Sequence, residues 1–244
     1  VFTDLGLAPG WANILAEEAL QKLPSIPDAI NMRCGGLPIE TVCAETDPFN
    51  YFLTWSSEGL YNEYTDTSQL LQDNLIIFVP SLCEREIVMI DNFPELEAFT
   101  TSGGASHTLR SMQHRGVRNC SYKTLRYKGH LDLIQYFIRT KKFSAEQLSN
   151  LFCDPTQSSR SNDDVVIVEV EALSSNITYR KTQIVDAKGG YSAMQRATAG
   201  GLVAGIFASP LDHGSPLSYA NIDIDTFNNN IKSLNIVRTE QQSC

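Results

Sequence analysis

The 244-residue chain carries a formal net charge of -9 at pH 7, which disfavours a nucleic-acid partner because too few cations are available to replace counterions. Hydrophobic residues make up 42% and charged residues 19%, as in a globular protein of one large domain or two small ones. No apolar run approaches the roughly 18 residues of a membrane-spanning helix, and no signal segment is recognisable. We therefore expect a cytoplasmic protein.

The first segment, "VFTDLGLAPG", has the pattern of an apolar strand that ends in a Gly/Pro turn. A start at Val1 without methionine favours a cut through a larger protein, and a processed mature protein is the alternative. After Gly10, "WANILAEEALQKL" predicts a helix that ends before Pro24. Its buried face would contain Trp11, Ile14, Leu15 and Ala19.

The next elements are predicted to be mainly strands. "DAINMRCGGLP" indicates a short strand that breaks at Gly35-Gly36, with a loop from Pro38 through "ETDPFN". "YFLTWSSEGLYNEYTD" combines an aromatic, strand-like piece with a helix that begins near Ser56 or Ser57. "LIIFVP" and "EREIVMI" are typical strands, and "FPELEAFTTSGGASHTL" ends a strand in a polar loop.

In the second half, "YKTLRY" alternates like a strand and "LDLIQYFIR" recurs like a helix. "SAEQLSNLF" predicts a helix, "DPTQSSRSNDD" a surface loop, and "VVIVEVEAL" with "ITYRKTQIV" a β-hairpin. "SAMQRATAGGLVAGIFA" and "DIDTFNNNIKSLNI" predict two further helices. The expected class is α+β, with a mixed, largely antiparallel sheet and helices on one face.

The sequence lacks the common cofactor and metal motifs. There is no GxGxxG after a strand, no GxxxxGK[ST], no HExxH and no GxSxG. Without any CxxC pair, neither a zinc site nor a disulfide framework is predicted for the six cysteines, Cys34, Cys43, Cys83, Cys120, Cys153 and Cys244. We attribute the glycosylation patterns at Asn119 and Asn176 to chance, and we expect no metal.

Three glycine-rich junctions are candidates for a ligand pocket: "GLAPG" (6–10), "RCGGLP" (33–38) and "TTSGG" (100–104). Glycines let backbone N–H groups approach a ligand closely, although each junction alone is also explained as a tight turn. His107 follows the third junction and is a candidate pocket residue. His114 and His213 are expected to be solvated.

The junction "RYKGH" (126–130) joins a basic strand end to a predicted helix start. Arg126 can form a bidentate pair with a carboxylate, and Lys128 adds a second charge. His130 would lie at the helix N-terminus, which favours anions and lowers the pKa of an imidazole. A carboxylate-bearing substrate would suit the junction; alternatively, Arg126 pairs with an acidic neighbour and His130 caps the helix.

Taken in order, "GLAPG", "RCGGLP", "NYFLTWSSEGLYNEY", "FPELEAFTTSGG" and "YKTLRYKGH" resemble the C-terminal substrate domain of the saccharopine dehydrogenase family. "TSGG" and "KTLRY" followed by "GH" are most similar to lysine 6-dehydrogenases, and "SAMQRATAGG" is similar to the closing helix of the family. The resemblance implies an NAD(P)-dependent dehydrogenase acting on a C–N bond of lysine or a lysine conjugate. It also implies a preceding Rossmann domain and a homodimer.

The resemblance assigns roles by position. The residues expected to face the nicotinamide are Gly6, Ala8, Pro9 and Gly10. The residues expected around the substrate are Cys34, Gly35, Gly36, Thr54, Trp55, Thr101, Ser102, Gly103, Arg126, Tyr127, Lys128 and His130. No catalytic residue is assigned.

Two departures limit what the resemblance implies. The dinucleotide fingerprint is missing, so this chain alone is expected neither to bind NAD(P) productively nor to transfer hydride. Lys128 stands where the family commonly has proline, which affects the local turn. The competing hypothesis is a non-catalytic binding or scaffold domain that retains only the dimer interface.

Overall fold

The computed structural model of the protein describes residues 3–39, 49–152, 164–175, 177–210 and 219–243. The helices in these ranges are α1 (Trp11–Lys22), α2 (Ser57–Thr65), α3 (Thr108–His114), α4 (His130–Gln135), α5 (Ala145–Phe152), α6 (Ala193–Ala208) and α7 (Ile224–Ser233). A π-helical turn, Tyr136–Thr140, continues α4, and a 3-10 turn, Tyr219–Asn221, precedes α7. None of the helices described is both long and apolar enough to cross a membrane.

The strands form one open sheet. They are β1 (Ala29–Pro38), β2 (Thr67–Gln72), β3 (Leu75–Pro80), β4 (Glu86–Val88), β5 (Leu96–Thr100), β6 (Asn119–Tyr127), β7 (Asp164–Leu173), β8 (Thr178–Asp186) and β9 (Val237–Ser243). Their order is β3-β2-β6-β1-β7-β8-β9, and β5 pairs with both β6 and β4. β1 and β6 run parallel, whereas the other pairings are antiparallel. The predicted α+β class with a mixed, largely antiparallel sheet is confirmed.

Strand alternation divides the core between the two faces of the sheet. Val166 and Val168 of β7 point to the face that α1 and α6 cover, in one core with Trp11. Val165 and Ile167 point the other way, into a core supplied by strands and the segment around Ile90. The helices therefore pack on one face, as expected.

A third apolar cluster surrounds the short helices α2, α4 and α5. Leu60 and Tyr64 of α2 lie four residues apart and share the buried face of that helix. Phe99, at the end of β5, joins the cluster and stacks on the His130 ring. This cluster anchors α2 beside the C-terminal end of β6.

Most predicted elements are confirmed, including α1, α2, α5, α6, α7 and the β7–β8 hairpin. Ser56 is the N-cap of α2, and its hydroxyl accepts a hydrogen bond from Gly59 N at 3.1 Å. The prediction that the first strand breaks at Gly35-Gly36 is wrong, because pairing with β7 continues to Pro38. The aromatic piece before α2 is not a strand.

Some of the predictions lie outside the described residues. These are parts of the "ETDPFN" and "DPTQSSRSNDD" loops, Asn176, His213, Cys43, Cys153 and Cys244. Within the described residues, β2, α3 and β9 had not been predicted.

Candidate functional site

A cavity of about 310 Å³ lies where the N-terminal turn meets β1, β6, α2 and α6. Its lining is contributed by residues 6–9 of the turn, 34–36 of β1, Tyr122, Thr124 and Arg126 of β6, Trp55 and Glu63 at α2, and Met194 and Thr198 of α6. Segments far apart in the sequence thus meet at one cavity of the size of a small ligand.

Strand β6 presents alternate residues to this cavity. Tyr122, Thr124 and Arg126 line it, whereas Leu125 and Tyr127 belong to the core on the opposite face of the sheet. Tyr122 and Thr124 were missed by the sequence prediction. The period of two that predicted the strand also predicts that they share a face with Arg126.

Arg126 is a buried cation without a carboxylate partner among the described residues. It is only 3% exposed. Its Nε donates a hydrogen bond to the Tyr64 hydroxyl at 3.1 Å, and Nη1 donates to the Leu125 carbonyl at 2.8 Å. The guanidinium carbon lies 4.5 Å from the centre of the Tyr51 ring. Tyr51 also stabilises the cation through its hydroxyl. Nη2 donates no hydrogen bond of ordinary geometry to a described residue, so it is available to a ligand.

Glu63 contributes a carboxyl group to the same cavity. Burial raises its pKa to about 7, and the Arg126 cation offsets part of that rise. The carboxyl group accepts no hydrogen bond within the described part of the chain. Glu63 was not predicted as a site residue, but it lies three residues after Leu60, beside the buried face of α2. The sequence offered one signal for Glu63, which is an acidic residue three positions after a core residue of a predicted helix.

The "TTSGG" loop supports the cavity from outside its lining. The hydroxyls of Thr101 and Thr124 lie 2.7 Å apart, and Ser102 N donates to the Glu63 carbonyl at 3.0 Å. A Cβ atom at Gly104 would lie 2.2 Å from the Tyr122 ring. Thr101 and Ser102 therefore position lining residues rather than line the cavity themselves.

Gly103 has a positive φ of 90° and also lies outside the lining of the cavity. This conformation suits glycine, so its place in the loop is explained by the backbone.

The N-terminal turn is closed by its own backbone. Gly6 N donates to the Pro9 carbonyl at 3.0 Å, and the Ala8–Pro9 peptide bond is cis. Gly10 has a φ of 139°, and a Cβ atom there would lie 2.3 Å from the Gly6 oxygen. Gly6, Ala8 and Pro9 reach the cavity, whereas Gly10 shapes the turn from outside it.

Strand β1 contributes Cys34, Gly35 and Gly36. A Cβ atom at Gly35 would lie 2.4 Å from the Leu125 carbonyl oxygen of β6, so glycine is needed for the two strands to approach. Burial, with a smaller effect of Glu63, raises the pKa of the Cys34 thiol to about 12. The thiol is therefore protonated at neutral pH and is not a thiolate nucleophile.

Two residues of the "RYKGH" junction lie away from the cavity. Tyr127 is buried on the opposite face, where its hydroxyl donates to the Pro38 carbonyl at 2.7 Å. Lys128 is exposed, and its Nζ lies 2.6 Å from a carboxylate oxygen of Glu95. The alternation of side chains along β6 explains why Tyr127 points to the opposite face, and the turn after the strand explains why Lys128 is exposed.

His130 lies behind Arg126 rather than in the cavity. It is 1% exposed, its Nε2 lies 3.0 Å from the Tyr64 hydroxyl, and its Nδ1 lies 3.2 Å from the Phe49 carbonyl. Burial, followed by the Arg126 charge, lowers its pKa to about 3. A low pKa was expected from the helix start, but the physical cause is mainly desolvation.

A carboxylate of the chain itself occupies the start of α4. Leu131 N donates to Glu97 Oε1 at 2.6 Å, which satisfies a free N–H group of the first turn. The alternative in which His130 caps the helix is wrong, because the N-cap residue is Gly129 and the His130 ring contacts the Tyr64 hydroxyl and the Phe49 carbonyl instead. An anionic ligand at this junction would therefore meet Arg126 rather than the helix terminus.

A larger apolar groove of about 840 Å³ adjoins the cavity along α6. Thr54 lines this groove and not the smaller cavity, whereas Trp55, Met194 and Thr198 belong to both. Leu202 and Val203 of α6 line the groove and are 43% and 37% exposed. The cavity therefore opens beside an uncovered apolar helix face.

The remaining histidines that were considered lie elsewhere. His107 stacks on Tyr219 and lies 3.0 Å from an Asp4 oxygen, and His114 is exposed at the end of α3. Across the ranges that the structure describes, no three His, Cys, Asp or Glu side chains are arranged to hold a metal ion.

Comparison with known proteins matches residues 6–211 to the saccharopine dehydrogenase C-terminal domain. The chain belongs to this family, and it is a domain of the amino-acid dehydrogenase type. Among solved structures, it is similar to the apo histidine-tagged saccharopine dehydrogenase (L-Glu forming) from Saccharomyces cerevisiae. That match has a TM-score of 0.68 and 14% identity, and it covers 100% of this chain and 74% of the yeast chain. At this identity the yeast structure supports the fold alone.

Proposed function

We propose that the chain is the substrate-binding and dimerisation domain of an NAD(P)-dependent dehydrogenase. Its substrate would carry a C–N bond of lysine or of a lysine conjugate such as saccharopine. The observation that carries this proposal is Arg126, a buried cation without a described carboxylate partner, in a small cavity of a chain from the saccharopine dehydrogenase family.

The side chains of the cavity suit the recognition of a polar substrate. Arg126 would bind the substrate carboxylate through Nη2, while Tyr64 and Leu125 hold the guanidinium in place. Thr124 offers a hydroxyl beside it. A carboxylate held in this way fixes the orientation of the carbon from which hydride is removed.

The nicotinamide cofactor would supply the hydride acceptor. Residues 6–9 suit a position beside it, because the tight turn brings backbone with little side-chain bulk to the cavity. The chain shows no dinucleotide fingerprint, so we expect residues 1–244 alone to be inactive and the Rossmann domain of the same protein to be a partner.

The apolar groove along α6 supports a role in domain assembly. Leu202, Ile206 and Phe207 are exposed on this helix, and exposed apolar faces of this kind are typical of interaction surfaces. We propose that they serve contacts with the Rossmann domain or with a second copy in a homodimer. Three described cysteines, Cys34, Cys83 and Cys120, are free thiols, which suits a cytoplasmic protein.

The product of the complete reading frame that contains this chain provides the test. Incubated with NAD or NADP and with L-lysine or saccharopine, it should produce the reduced cofactor, measured by absorbance. Residues 1–244 alone should produce none. Failure of the complete product to reduce either cofactor with any amino acid would overturn the enzymatic proposal and favour the scaffold hypothesis.

A further inference from the structure

Two opposite charges face the same cavity, and neither has a counterion bound to it. Arg126 and Glu63 both line the cavity and attract one another electrostatically, but they form no direct ion pair. No other described group forms an ion pair with either side chain. A buried cation and a partly buried carboxylate in this state are costly unless a ligand compensates them.

One turn of α2 contributes both the carboxyl group and a hydrogen-bond partner of the guanidinium. Glu63 and Tyr64 are consecutive residues of α2, and the Tyr64 hydroxyl accepts the hydrogen bond from Arg126 Nε at 3.1 Å. Ser102 holds the same turn, because its N–H donates to the Glu63 carbonyl and its hydroxyl donates to the Asn62 carbonyl. The backbone of Glu63 is thus held in place beside the guanidinium.

An α-amino acid carries a carboxylate and an ammonium group on one carbon, so a single small ligand supplies both missing counterions. We propose that Glu63 binds the α-ammonium group of the amino acid whose α-carboxylate lies on Arg126. This assignment rests on the proposed function and adds to it that the domain selects α-amino acids over carboxylates that lack the α-amine. Glu63 is then a specificity-determining residue of the substrate site.

Two probes isolate this contact, because 6-aminohexanoate is L-lysine without the α-amine. Calorimetry with the product of the complete reading frame should show that L-lysine binds roughly 10-fold to 100-fold more tightly, as expected for a charge-assisted hydrogen bond. In Glu63→Gln, L-lysine should bind as weakly as 6-aminohexanoate, whose own affinity should change little. Glu63→Asp keeps the charge and should retain part of the preference.

Glu58→Gln provides the matched control, since Glu58 is an exposed carboxylate on the same helix, and the wild-type preference should persist in it. A denaturant midpoint for each variant establishes that the protein is folded. Equal weakening of both compounds by Glu63→Gln would overturn the assignment of the α-ammonium contact. If the wild type binds both compounds equally, the inference fails and the proposed function survives; if it binds neither and is also inactive, both fail.

Discussion

Two buried arginines on neighbouring parallel strands have opposite surroundings. Arg33 of β1 forms ion pairs with Glu86 at 2.5 Å, Glu169 at 2.7 Å and Glu171 at 3.2 Å. Arg126 of β6 has hydroxyl, carbonyl and aromatic partners and no ion pair with a described residue. The exposed fractions are similar, 6% and 3%, so burial alone does not distinguish their roles.

The difference lies in which charge each arginine neutralises. Arg33 compensates glutamates of the chain itself on the face of the sheet that lacks the cavity, and its role is therefore structural. Arg126 lies at the cavity with one nitrogen available. Residue type is the same and burial is similar for the two arginines. The carboxylate partners of Arg33 distinguish it, as a structural residue, from Arg126.

The largest expected effect is that of Arg33→Met. Removal of this cation leaves the buried Glu169 carboxylate without an ion-pair partner, whereas Glu86 keeps Lys123 and Glu171 keeps Arg180. The free energy of unfolding should therefore fall by about 3 kcal/mol. Urea denaturation measures it, and Arg110→Met, at an exposed position of α3, is the matched control. Unchanged stability of Arg33→Met would break the comparison, because Arg33 would then not be a structural cation.

The same substitution at the second arginine should act on binding instead. In Arg126→Met, the free energy of unfolding should stay equal or rise, because an unpaired buried charge is removed. Affinity for L-lysine should fall by roughly 100-fold, as expected when one partner of a buried charge pair is lost. Calorimetry and urea denaturation on one sample test both statements. A large loss of stability with unchanged affinity would assign Arg126 to the structural class.

The smallest effect is a change in pH dependence. Since the folded state raises the pKa of Glu63 from 4.5 to about 7, it binds a proton more tightly than the unfolded state, and stability falls as pH rises through that window. Glu63→Gln removes this dependence. Its stability relative to wild type should therefore rise by on the order of 2 kcal/mol between pH 4.5 and pH 8.

Denaturant titrations across that pH range measure the effect, and Glu58→Gln should keep the wild-type dependence. The titratable groups that act on Glu63 or are affected by it are Arg126, Cys34, Tyr51, Tyr64 and Tyr122. Tyr51, Tyr64 and the Cys34 thiol are neutral below pH 8, because burial raises the pKa of each side chain. A parallel pH dependence in wild type and Glu63→Gln would contradict the prediction.

Local sequence rules predicted the elements whose periodicity is strong. The helical spacing of α1 and the paired apolar runs of β7 and β8 are confirmed. The rule that glycines end a strand failed at Gly35-Gly36, where the eight other residue pairings between β1 and β7 and the approach of β1 to β6 outweigh the weak strand preference of glycine. Cross-strand pairing of this kind is not encoded in a local window.

The candidate site shows the same division. The order of motifs led us to expect residues 6–10, 34–36 and Arg126 at one site, and the structure brings most of them to one cavity. Glu63 and Met194 were missed because their contribution depends on how α2 and α6 pack. His130 was placed by its local helix start, whereas its surroundings come from Phe49, Tyr64 and other distant residues.

The cavity and the α6 groove share lining residues, which provides a route for thermodynamic linkage between them. Trp55, Met194 and Thr198 line both the groove and the cavity. A protein partner that covers the groove therefore also restricts three residues that line the cavity. Linkage of this kind is reciprocal. The factor by which a partner at the groove changes the affinity of the cavity for its small ligand equals the factor by which the small ligand changes the affinity of the groove for that partner.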